Sequence, residues 1–279
     1  MKYFMPKITK PSMKLSQGFT LVELVTVIVL LGILSVSVGG FIKLSSQIYV
    51  DVTNRDELIA SARFSVERIN REIRSALPNS VRTISNTGNT VQCLEYIPTL
   101  TSTVYLNIPV SPEPAGDKID LVHNSVIDTN ARVAVYPLTA NELYDGTSNR
   151  IFALKTPQTP VQTPATTGKK WTYTLAFSSQ FADDSPTKRL FFIALPVSYC
   201  AKNGQLTRHT SGYSYSDGVP NNTGVLMAEY LQMNGIADFP FRVSDATLLR
   251  NSLVSIQLKF SQNSEDITFN NEVQVPNVP

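Results

Sequence analysis

The side chains best suited to catalysis or metal binding are scarce and scattered in this 279-residue chain. His123 and His209 are its only histidines, and neither stands in a Gly-x-Ser-x-Gly or His-Glu-x-x-His context. Two histidines are too few for a multi-histidine metal site built by this chain alone. Serines and aspartates are so frequent that a Ser/His/Asp set can always be assembled on paper, so that possibility carries no weight. We therefore expect no enzymatic activity, no metal and no cofactor.

Two acidic turns and one tyrosine-rich stretch are the remaining candidates for binding sites. Asp183 and Asp184 in one turn, and residues 141–146 in the other, present clustered oxygen ligands of the kind that Ca²⁺ favours. Neither turn has the ordered Asp-x-Asp-x-Asp-Gly loop, so ordinary solvated turns are the preferred interpretation. The tyrosine-rich stretch is suited to a sugar or a partner protein, although a strand and turn rich in tyrosine is simpler. Its residues are Tyr199, Ser211, Gly212, Tyr213, Ser214, Tyr215 and Gly218.

A carboxylate inside an apolar run is the most unusual chemical feature of the sequence. Residues 19–42 form a 24-residue stretch whose only charge is Glu23. A stretch of this length can cross a bilayer as a helix, at ~1.5 Å per residue against ~30 Å of hydrocarbon. A charge near the centre of such a helix costs on the order of 3 kcal/mol, so an intramembrane acid suggests a function. The simpler alternative is a signal anchor whose Glu23 reaches the lipid headgroups.

The order of features around Glu23 resembles the leader of type IV prepilins and of type II secretion pseudopilins. A basic leader ends at Gly18, Phe19 follows, and Glu23 is the fifth residue counted from Phe19. The resemblance implies that prepilin peptidase cuts between Gly18 and Phe19 and methylates the new amino terminus of Phe19. It also implies assembly of the N-terminal helix with other minor and major pilins on an inner-membrane platform. In the fibre, Glu23 would pair with the amine of a neighbouring Phe19, so that neither charge remains unpaired.

The distribution of charge agrees with a membrane-anchored precursor and argues against nucleic-acid binding. The chain is formally +2, but the leader, residues 1–18, holds four lysines and no acid, which leaves 20 basic and 22 acidic residues elsewhere. No basic stripe remains for a nucleic acid. By the positive-inside rule, the leader lysines keep the N-terminus of a single-pass inner-membrane protein in the cytoplasm. Residues 78–279 would then form a periplasmic domain, displayed at the cell surface after assembly into a pilus.

The two cysteines of the chain, Cys93 and Cys200, both fall on the translocated side. In an oxidising periplasm two cysteines pair more often than not, so we expect a disulfide between them. Two buried thiols are the alternative. A catalytic thiol is not favoured, because neither cysteine has a histidine nearby in the sequence.

The apolar run is predicted to continue as an amphipathic helix. Pro78 ends the pattern, because the residue before a proline is pushed out of the helical region, so the predicted helix stops at Leu77. Charged residues occupy the opposite face, which we expect to be solvated. The apolar residues recur at intervals of three and four and form one stripe; they are Leu44, Ile48, Val52, Ile59, Ala62, Val66, Ile69, Ile73 and Leu77.

The prediction is therefore one helix of roughly 90 Å over residues 19–77, at ~1.5 Å per residue. Its first part, 19–42, lies in lipid or in a fibre core, and its second part, 43–77, packs on a globular domain. Gly39 and Gly40 mark the junction and are the predicted bend or melting point, since each glycine weakens a helix by ~1 kcal/mol.

Beyond the helix the pattern changes to the two-residue period of strands separated by turns. The strand candidates are 91–97, 103–108, 118–122, 131–136, 171–177, 190–197, 226–232, 253–260 and 273–275. The Pro- and Thr-rich stretch 155–168 is expected to be an extended, exposed loop without a core of its own. A long helix followed by many antiparallel strands predicts an α+β fold with the helix against a β-rich domain. The pattern does not decide between one sheet and two.

Among pilin-like proteins, the large domain resembles those of J-type pseudopilins and of large minor pilins. Short stretches at 91–96, 196–200, 204–208 and 273–279 are similar to the O-type minor pilins of mannose-sensitive haemagglutinin pili. In the major pilins a proline stands near the middle of the long helix, where this chain has Gly40. We expect a minor pilin that primes or caps a type IV pilus. A J-type pseudopilin of type II secretion and a pilus-delivered surface adhesin are the alternatives.

Overall fold

The computed structural model describes residues 18–122, 131–156, 161–165, 168–210, 219–220, 222–246, 250–263 and 265–276. The chain divides into two compact units, Met1–Asn54 and Arg55–Pro279. The boundary between them falls within a long helix, α1, which runs over Leu21–Ile73. All of the described strands belong to the second unit.

Helix α1 is continuous over the 53 residues of Leu21–Ile73, and it ends before the predicted limit at Leu77. The reason is backbone pairing. Ala76 forms an isolated antiparallel bridge with Pro98, and the Leu77 N–H donates to the Ile97 carbonyl at 2.7 Å. The chain thus leaves the helix to pair with a distant segment, a contact that helical periodicity does not reveal.

The described part of the second unit holds fifteen strands and a short second helix, α2 (Ala140–Tyr144), which together with α1 confirm the predicted α+β class. Strands β1 to β5 are Arg82–Ser85, Val91–Tyr96, Thr99–Asn107, Gly116–Val122 and Arg132–Val135. Strands β6 to β10 are Ile151–Ala153, Val161–Ala165, Gly168–Ser179, Arg189–Ile193 and Val197–Lys202. Strands β11 to β15 are Gln205–Thr210, Val225–Ala228, Phe241–Ser244, Ser252–Gln262 and Glu265–Val275.

These strands form three antiparallel sheets. Their orders are β1-β2-β10-β11-β12, β6-β5-β9-β3-β4-β8-β7 and β13-β14-β15. Several central neighbours come from distant parts of the chain, such as β2 with β10 and β3 with β9. No short turn fixes the register of such pairs, so the alternation of core-facing and outward-facing side chains must set it.

The largest core lies between the C-terminal part of α1 and the five- and three-stranded sheets. Ala62, Ile69 and Ile73 of the helix are fully buried and share one helical face. They belong to one cluster with residues of both sheets, for example Leu94 on β2 and Val254 on β14. A helix that covers two sheets at once requires both to present their apolar face to it.

The predicted apolar stripe is confirmed in this part of the helix, with one exception. Ala62, Val66, Ile69 and Ile73 are buried as expected. Ile59, however, is only half-buried, and its neighbour Leu58 takes the buried position. Leu58 lies four residues before Ala62 and therefore on the same face of the helix, so the buried stripe continues through Leu58.

The seven-stranded sheet builds a second core of its own. Tyr105, Tyr173 and Phe192 are buried on one face of the sheet. On the other face, Phe191 and Ile193 of β9 pack with residues of helix α2 and with the segment that follows α1. The sheet is therefore covered in part on both faces.

Several predictions for the strand region were wrong in their extent; the predicted strand 273–275, for example, is only the end of β15. The predicted strand 190–197 is divided into β9 and β10, because Pro196 has no N–H to donate to a ladder. The Pro- and Thr-rich stretch was predicted to be an extended, exposed loop, but its residues 161–165 form β7, which pairs with β8 at the edge of the seven-stranded sheet. Pro164 is compatible with this place because an edge strand leaves alternate N–H groups unused.

Candidate functional site

The segment that carries the sequence motif forms the start of helix α1. The Glu23 N–H donates to Thr20 Oγ1 at 3.3 Å, and the Leu24 N–H donates to the Thr20 carbonyl at 3.1 Å. Thr20 therefore caps the helix, and Glu23 stands three residues later, which is the spacing of a capping box. Glu23 lies in the first turn, where the helix dipole stabilises a carboxylate.

The bond between Gly18 and Phe19 lies just before this cap. Both residues precede the first helical residue, and the Phe19 side chain is 80% exposed. A peptide bond outside regular structure is accessible to a protease, whereas a bond inside a helix must first be unwound. The predicted cleavage and methylation site therefore has a suitable local conformation, and both reactions stay predictions.

The apolar half of α1 is exposed along its whole length. Among the described residues, α1 is the only helix long and apolar enough to cross a membrane, and none of that apolar window is buried. Its hydroxyl groups are satisfied within the helix, since Ser35 Oγ donates to the Leu31 carbonyl at 2.7 Å and Ser37 Oγ to the Ile33 carbonyl at 3.1 Å. These polar interruptions therefore do not prevent burial of the helix in lipid or among other helices.

Gly39 and Gly40 lie within the continuous helix. A Cβ atom added to either glycine would meet nothing within 4 Å, so neither residue is required by close packing in the monomer. Their role as a bend or melting point stays a prediction.

The sequence analysis did not identify Glu72, which is the centre of a polar cluster between α1 and the five-stranded sheet. Its carboxylate accepts hydrogen bonds from Tyr96 Oη at 2.6 Å, from Arg208 Nε at 3.0 Å and from Arg68 Nε at 3.0 Å. The Glu72 side chain is only 18% exposed. One carboxylate thus ties its own helix to β2 and β11.

These contacts change the pKa of Glu72. Burial raises the pKa, but the hydrogen bonds from Tyr96, Arg68 and Arg208 outweigh it and lower the pKa from 4.5 to about 2. The Tyr199 hydroxyl is buried beside the carboxylate and also contributes to the lowered pKa of Glu72. Burial and the adjacent carboxylate in turn raise the pKa of Tyr96 far above its ordinary value. The cluster is therefore held in its charged form, with both tyrosines protonated.

The predicted disulfide between Cys93 and Cys200 is present. The two residues are directly opposite each other on β2 and β10, and both are buried. The bridge closes a sequence separation of 107 residues within the five-stranded sheet. A reactive thiol is thereby excluded at both positions.

A Glu/Ser/His group does occur on adjacent strands, but its hydrogen bonds are not those of a catalytic triad. Ser198 Oγ donates a hydrogen bond to Glu95 Oε1 at 3.2 Å. The Glu95 carboxylate also forms an ion pair with Arg82 at 2.7 Å. His209 on the neighbouring strand contacts Thr207 and an asparagine through its two ring nitrogens, and not Ser198. Among the described residues no imidazole nitrogen is bonded to Ser198, so the serine–histidine hydrogen bond of a triad is absent, and both Ser198 and Glu95 are fully buried.

The two acidic turns are joined by a guanidinium. Arg150, which is nearly buried, donates to Glu142 Oε2 at 2.9 Å and to Asp183 Oδ2 at 2.7 Å. Asp184 accepts a hydrogen bond from the Tyr105 hydroxyl, and Asp145 accepts two backbone N–H groups of its own turn. Among the described residues there is no cluster of three or more His, Cys, Asp or Glu suited to a metal ion. The carboxylates that suggested Ca²⁺ are thus engaged with the protein itself.

The tyrosine-rich patch is not supported at the one position that can be tested. Tyr199 is completely buried and belongs to the core beneath α1, so it is unavailable to a ligand. The sequence did not indicate this because β10 is buried on both faces from Val197 to Ala201, whereas the interpretation as a binding patch assumed an exposed strand. Tyr213 and Tyr215, like His123, lie outside the described residues.

Comparison with known proteins identifies the N-terminal segment alone. Residues 13–39 match the prokaryotic N-terminal methylation motif, which contains Gly18, Phe19 and Glu23. Neither the curated proteins nor the solved structures gave a match. The motif indicates a type IV pilin-like or pseudopilin-like protein, that is, a structural subunit processed by prepilin peptidase and assembled with other pilins. A single N-terminal apolar helix with this motif fits anchoring in the inner membrane.

Proposed function

We propose that this chain is a minor pilin of a type IV pilus, of the mannose-sensitive haemagglutinin type. In this proposal it is made as an inner-membrane precursor with a periplasmic domain, is cut after Gly18 and is methylated at Phe19. Helix α1 then carries it into the fibre or its tip complex. The single observation that supports this most strongly is the match of residues 13–39 to the methylation motif.

The exposed apolar half of α1 supports assembly rather than chemistry. Residues 18–53 are exposed in the isolated chain, and most of them are apolar. A surface of this kind is stable only in lipid or against other helices. Transfer from the membrane to a bundle of similar helices replaces one apolar environment by another, so extraction costs little as long as every charge is paired.

Glu23 is the residue that makes such pairing necessary. As the only charge in residues 19–42, its carboxylate would be unpaired in an apolar bundle. Cleavage after Gly18 creates an amine at Phe19, which can supply the missing positive charge on a neighbouring subunit. Assembly would then depend on cleavage, because the uncut precursor lacks this amine.

The first experiment is intact-mass and N-terminal peptide analysis of the protein from cells with and without prepilin peptidase. We expect an N-methylated Phe19 terminus only when the peptidase is present. A terminus at Met1 in both strains would reduce helix α1 to a simple membrane anchor, and the proposed function would be wrong.

The role of Glu23 is tested separately. Glu23→Ala should leave cleavage intact and reduce incorporation into sheared pili, whereas Glu57→Ala, an exposed acid outside the apolar run, should not. Normal incorporation of Glu23→Ala would refute the charge-pairing role. A protein that is processed but needed for exoprotein secretion rather than for pili would instead be a J-type pseudopilin.

A further inference from the structure

A groove of about 470 Å³ opens between the outer edges of two different sheets. One wall is β1, the end strand of the five-stranded sheet, and the facing wall is β13, the end strand of the three-stranded sheet, with the two residues that follow it. Residues 138–141, around the start of α2, form a third side. Among the described strands no ladder joins β1 to β13, so this edge groove separates two sheet edges.

The register of β1 leaves alternate peptide groups free on its outer edge. The Asn86 N–H donates to the Val91 carbonyl at 3.3 Å, so these two residues form a hydrogen-bonded pair at the end of the β1–β2 ladder. Because hydrogen-bonded and non-hydrogen-bonded pairs alternate in an antiparallel ladder, Thr83 and Ser85 direct their N–H and carbonyl groups away from β2. The main chain of Thr83 makes no hydrogen bond on that side to any described residue.

Strand β13 presents the same kind of groups from the opposite wall. The Gln257 N–H donates to the Pro240 carbonyl at 2.8 Å, which sets the alternation on β13. By this alternation Phe241 and Val243 direct their N–H and carbonyl groups away from β14. The main-chain groups of Val243 make no hydrogen bond on that side to any described residue.

The side chain of Gln92 shows what complements the outer edge of β13. Its Oε1 accepts from the Phe241 N–H at 3.0 Å, and its Nε2 donates to the Phe241 carbonyl at 2.8 Å. One acceptor and one donor are what the main chain of a neighbouring strand would supply at this position. Gln92 reaches only the first outward position, and the next one, at Val243, faces the edge groove. A sheet edge with free N–H and carbonyl groups is a template for another strand.

The side chains of the edge groove favour particular residues in such a strand. Val81 is buried in the core beneath α1 and Val243 packs against the same core, so an apolar side chain beside them would extend that core. Arg82 forms an ion pair with the buried Glu95 at 2.7 Å. Asp245 is exposed and forms no ion pair with any described residue, so the uncompensated charge of the described lining is negative. A basic residue would complement it.

We infer that the edge groove binds an extended segment of a partner protein that carries an apolar side chain and a lysine or arginine. The main-chain groups of Thr83 and Val243 supply the hydrogen bonds, and the side chains select the sequence. Both walls are only four residues long, so the paired part of the segment spans about 13 Å, at ~3.3 Å per residue. This interaction concerns the folded domain and goes beyond the proposed assembly through α1.

The test uses the full chain in detergent and a phage-displayed library of seven-residue peptides. The selected peptides should alternate polar and apolar residues, contain lysine or arginine and lack a central proline. Fluorescence anisotropy then measures the affinity of synthetic copies with blocked termini. Methylation of a central main-chain nitrogen should weaken binding at least tenfold, because it removes a hydrogen bond to the sheet edge. No selection of peptides, or an affinity unchanged by this methylation, would overturn the inference.

Two variants locate the site, each with a matched control. Thr83→Pro removes an outward N–H without removing a bond of the β1–β2 ladder, and should weaken binding about tenfold. Its control is Thr268→Pro on the edge strand β15, where the same alternation directs the N–H outward. Asp245→Asn should weaken binding of the basic peptides about threefold, whereas Asp117→Asn, at an exposed acid of β4, should not.

Urea unfolding of all four variants and the parent checks that the domain is intact. If Thr83→Pro unfolds earlier than its control, Asp245→Asn and the methylated peptides still decide the question. Loss of binding in Thr268→Pro but not in Thr83→Pro would place the peptide on β15, and the inference would be wrong. It would also be wrong if the chain selected no peptide but formed dimers that Thr83→Pro abolished, because a second copy would then fill the groove. None of these results depends on cleavage after Gly18, so the proposed function is tested separately.

Discussion

Replacement of Glu72 by glutamine is expected to destabilise the second unit in a way that depends on pH. The Glu72 carboxylate has a pKa of about 2 in the folded chain, against 4.5 in the ordinary, unfolded environment. At about 1.4 kcal/mol per tenfold change in an equilibrium constant, this difference corresponds to on the order of 3 kcal/mol of stability at pH 7. The side chain is 18% exposed, so solvent screening reduces this figure only modestly.

The sign follows from the direction of the pKa shift. Because the pKa of Glu72 is lower in the folded state, its contribution is complete above about pH 5. It is lost progressively as the pH falls from about 5 to about 2, since the unfolded chain then takes up a proton more readily than the folded one. Glutamine has no such titration, so the parent and Glu72→Gln should converge in stability at the acid end of this range.

Urea unfolding in detergent, followed by circular dichroism at pH 7, 4 and 2.5, measures this difference. The matched control is Glu67→Gln, an exposed acid on the same helix. A constant difference between the parent and Glu72→Gln at all three pH values would show that the carboxylate acts by shape rather than charge. An equal loss of unfolding free energy in Glu67→Gln would show that the hydrogen bonds of the Glu72 cluster are not the cause of the destabilisation.

Three further predictions concern the core. The double variant Cys93→Ser with Cys200→Ser should lose about 2 to 5 kcal/mol of unfolding free energy. In non-reducing buffer the unfolding free energy of the parent should be higher than that of the variant, and in dithiothreitol the two values should coincide. Gln92→Ala removes two hydrogen bonds, of 2.8 and 3.0 Å, that its amide makes to the backbone of β13, and should cost about 2 to 4 kcal/mol in urea unfolding; a loss below about 0.5 kcal/mol would mean that water replaces the amide. Ile69→Ala, at a fully buried position, should lower the unfolding free energy by about 2 to 5 kcal/mol, and the half-buried Ile59→Ala by clearly less; equal losses would contradict the assignment of the buried face.

Much of the fold was open to prediction because its signals are local. The helix was recognisable from its period of apolar residues, and most of the longer strands from their period of two. Errors arose where tertiary contacts compete with these signals. The helix ends at Ile73 because Ala76 and Leu77 pair with a distant segment, and residues 161–165 become a strand because the exposed edge of β8 accepts them.

The shorter strands were missed for a different reason. β1, β11 and β13 carry polar residues on one face and are only four to six residues long. β1 has no fully buried side chain, and β11 and β13 bury one or two each, for example Leu206 and Phe241. An alternation of apolar and polar residues over so few positions also occurs by chance, so it does not identify a strand until the neighbouring strands with which it pairs are known.

The sequence by itself was sufficient to reveal the N-terminal motif of this protein. Gly18, Phe19 and Glu23 lie close together in the chain, so the match to the methylation motif depends only on local residue types and spacing. The disulfide also followed from the sequence, since only two cysteines were available to pair.

Only the tertiary structure decided which polar residues act together in the folded domain. Glu72 and Arg208 are separated by 136 residues, and Gln92 is separated by 149 residues from Phe241, to whose carbonyl its amide donates. Such groups meet because three sheets and a helix bury their apolar faces against one another, a long-range and cooperative effect. A local pattern of residue types does not indicate which distant residues this burial will bring into contact.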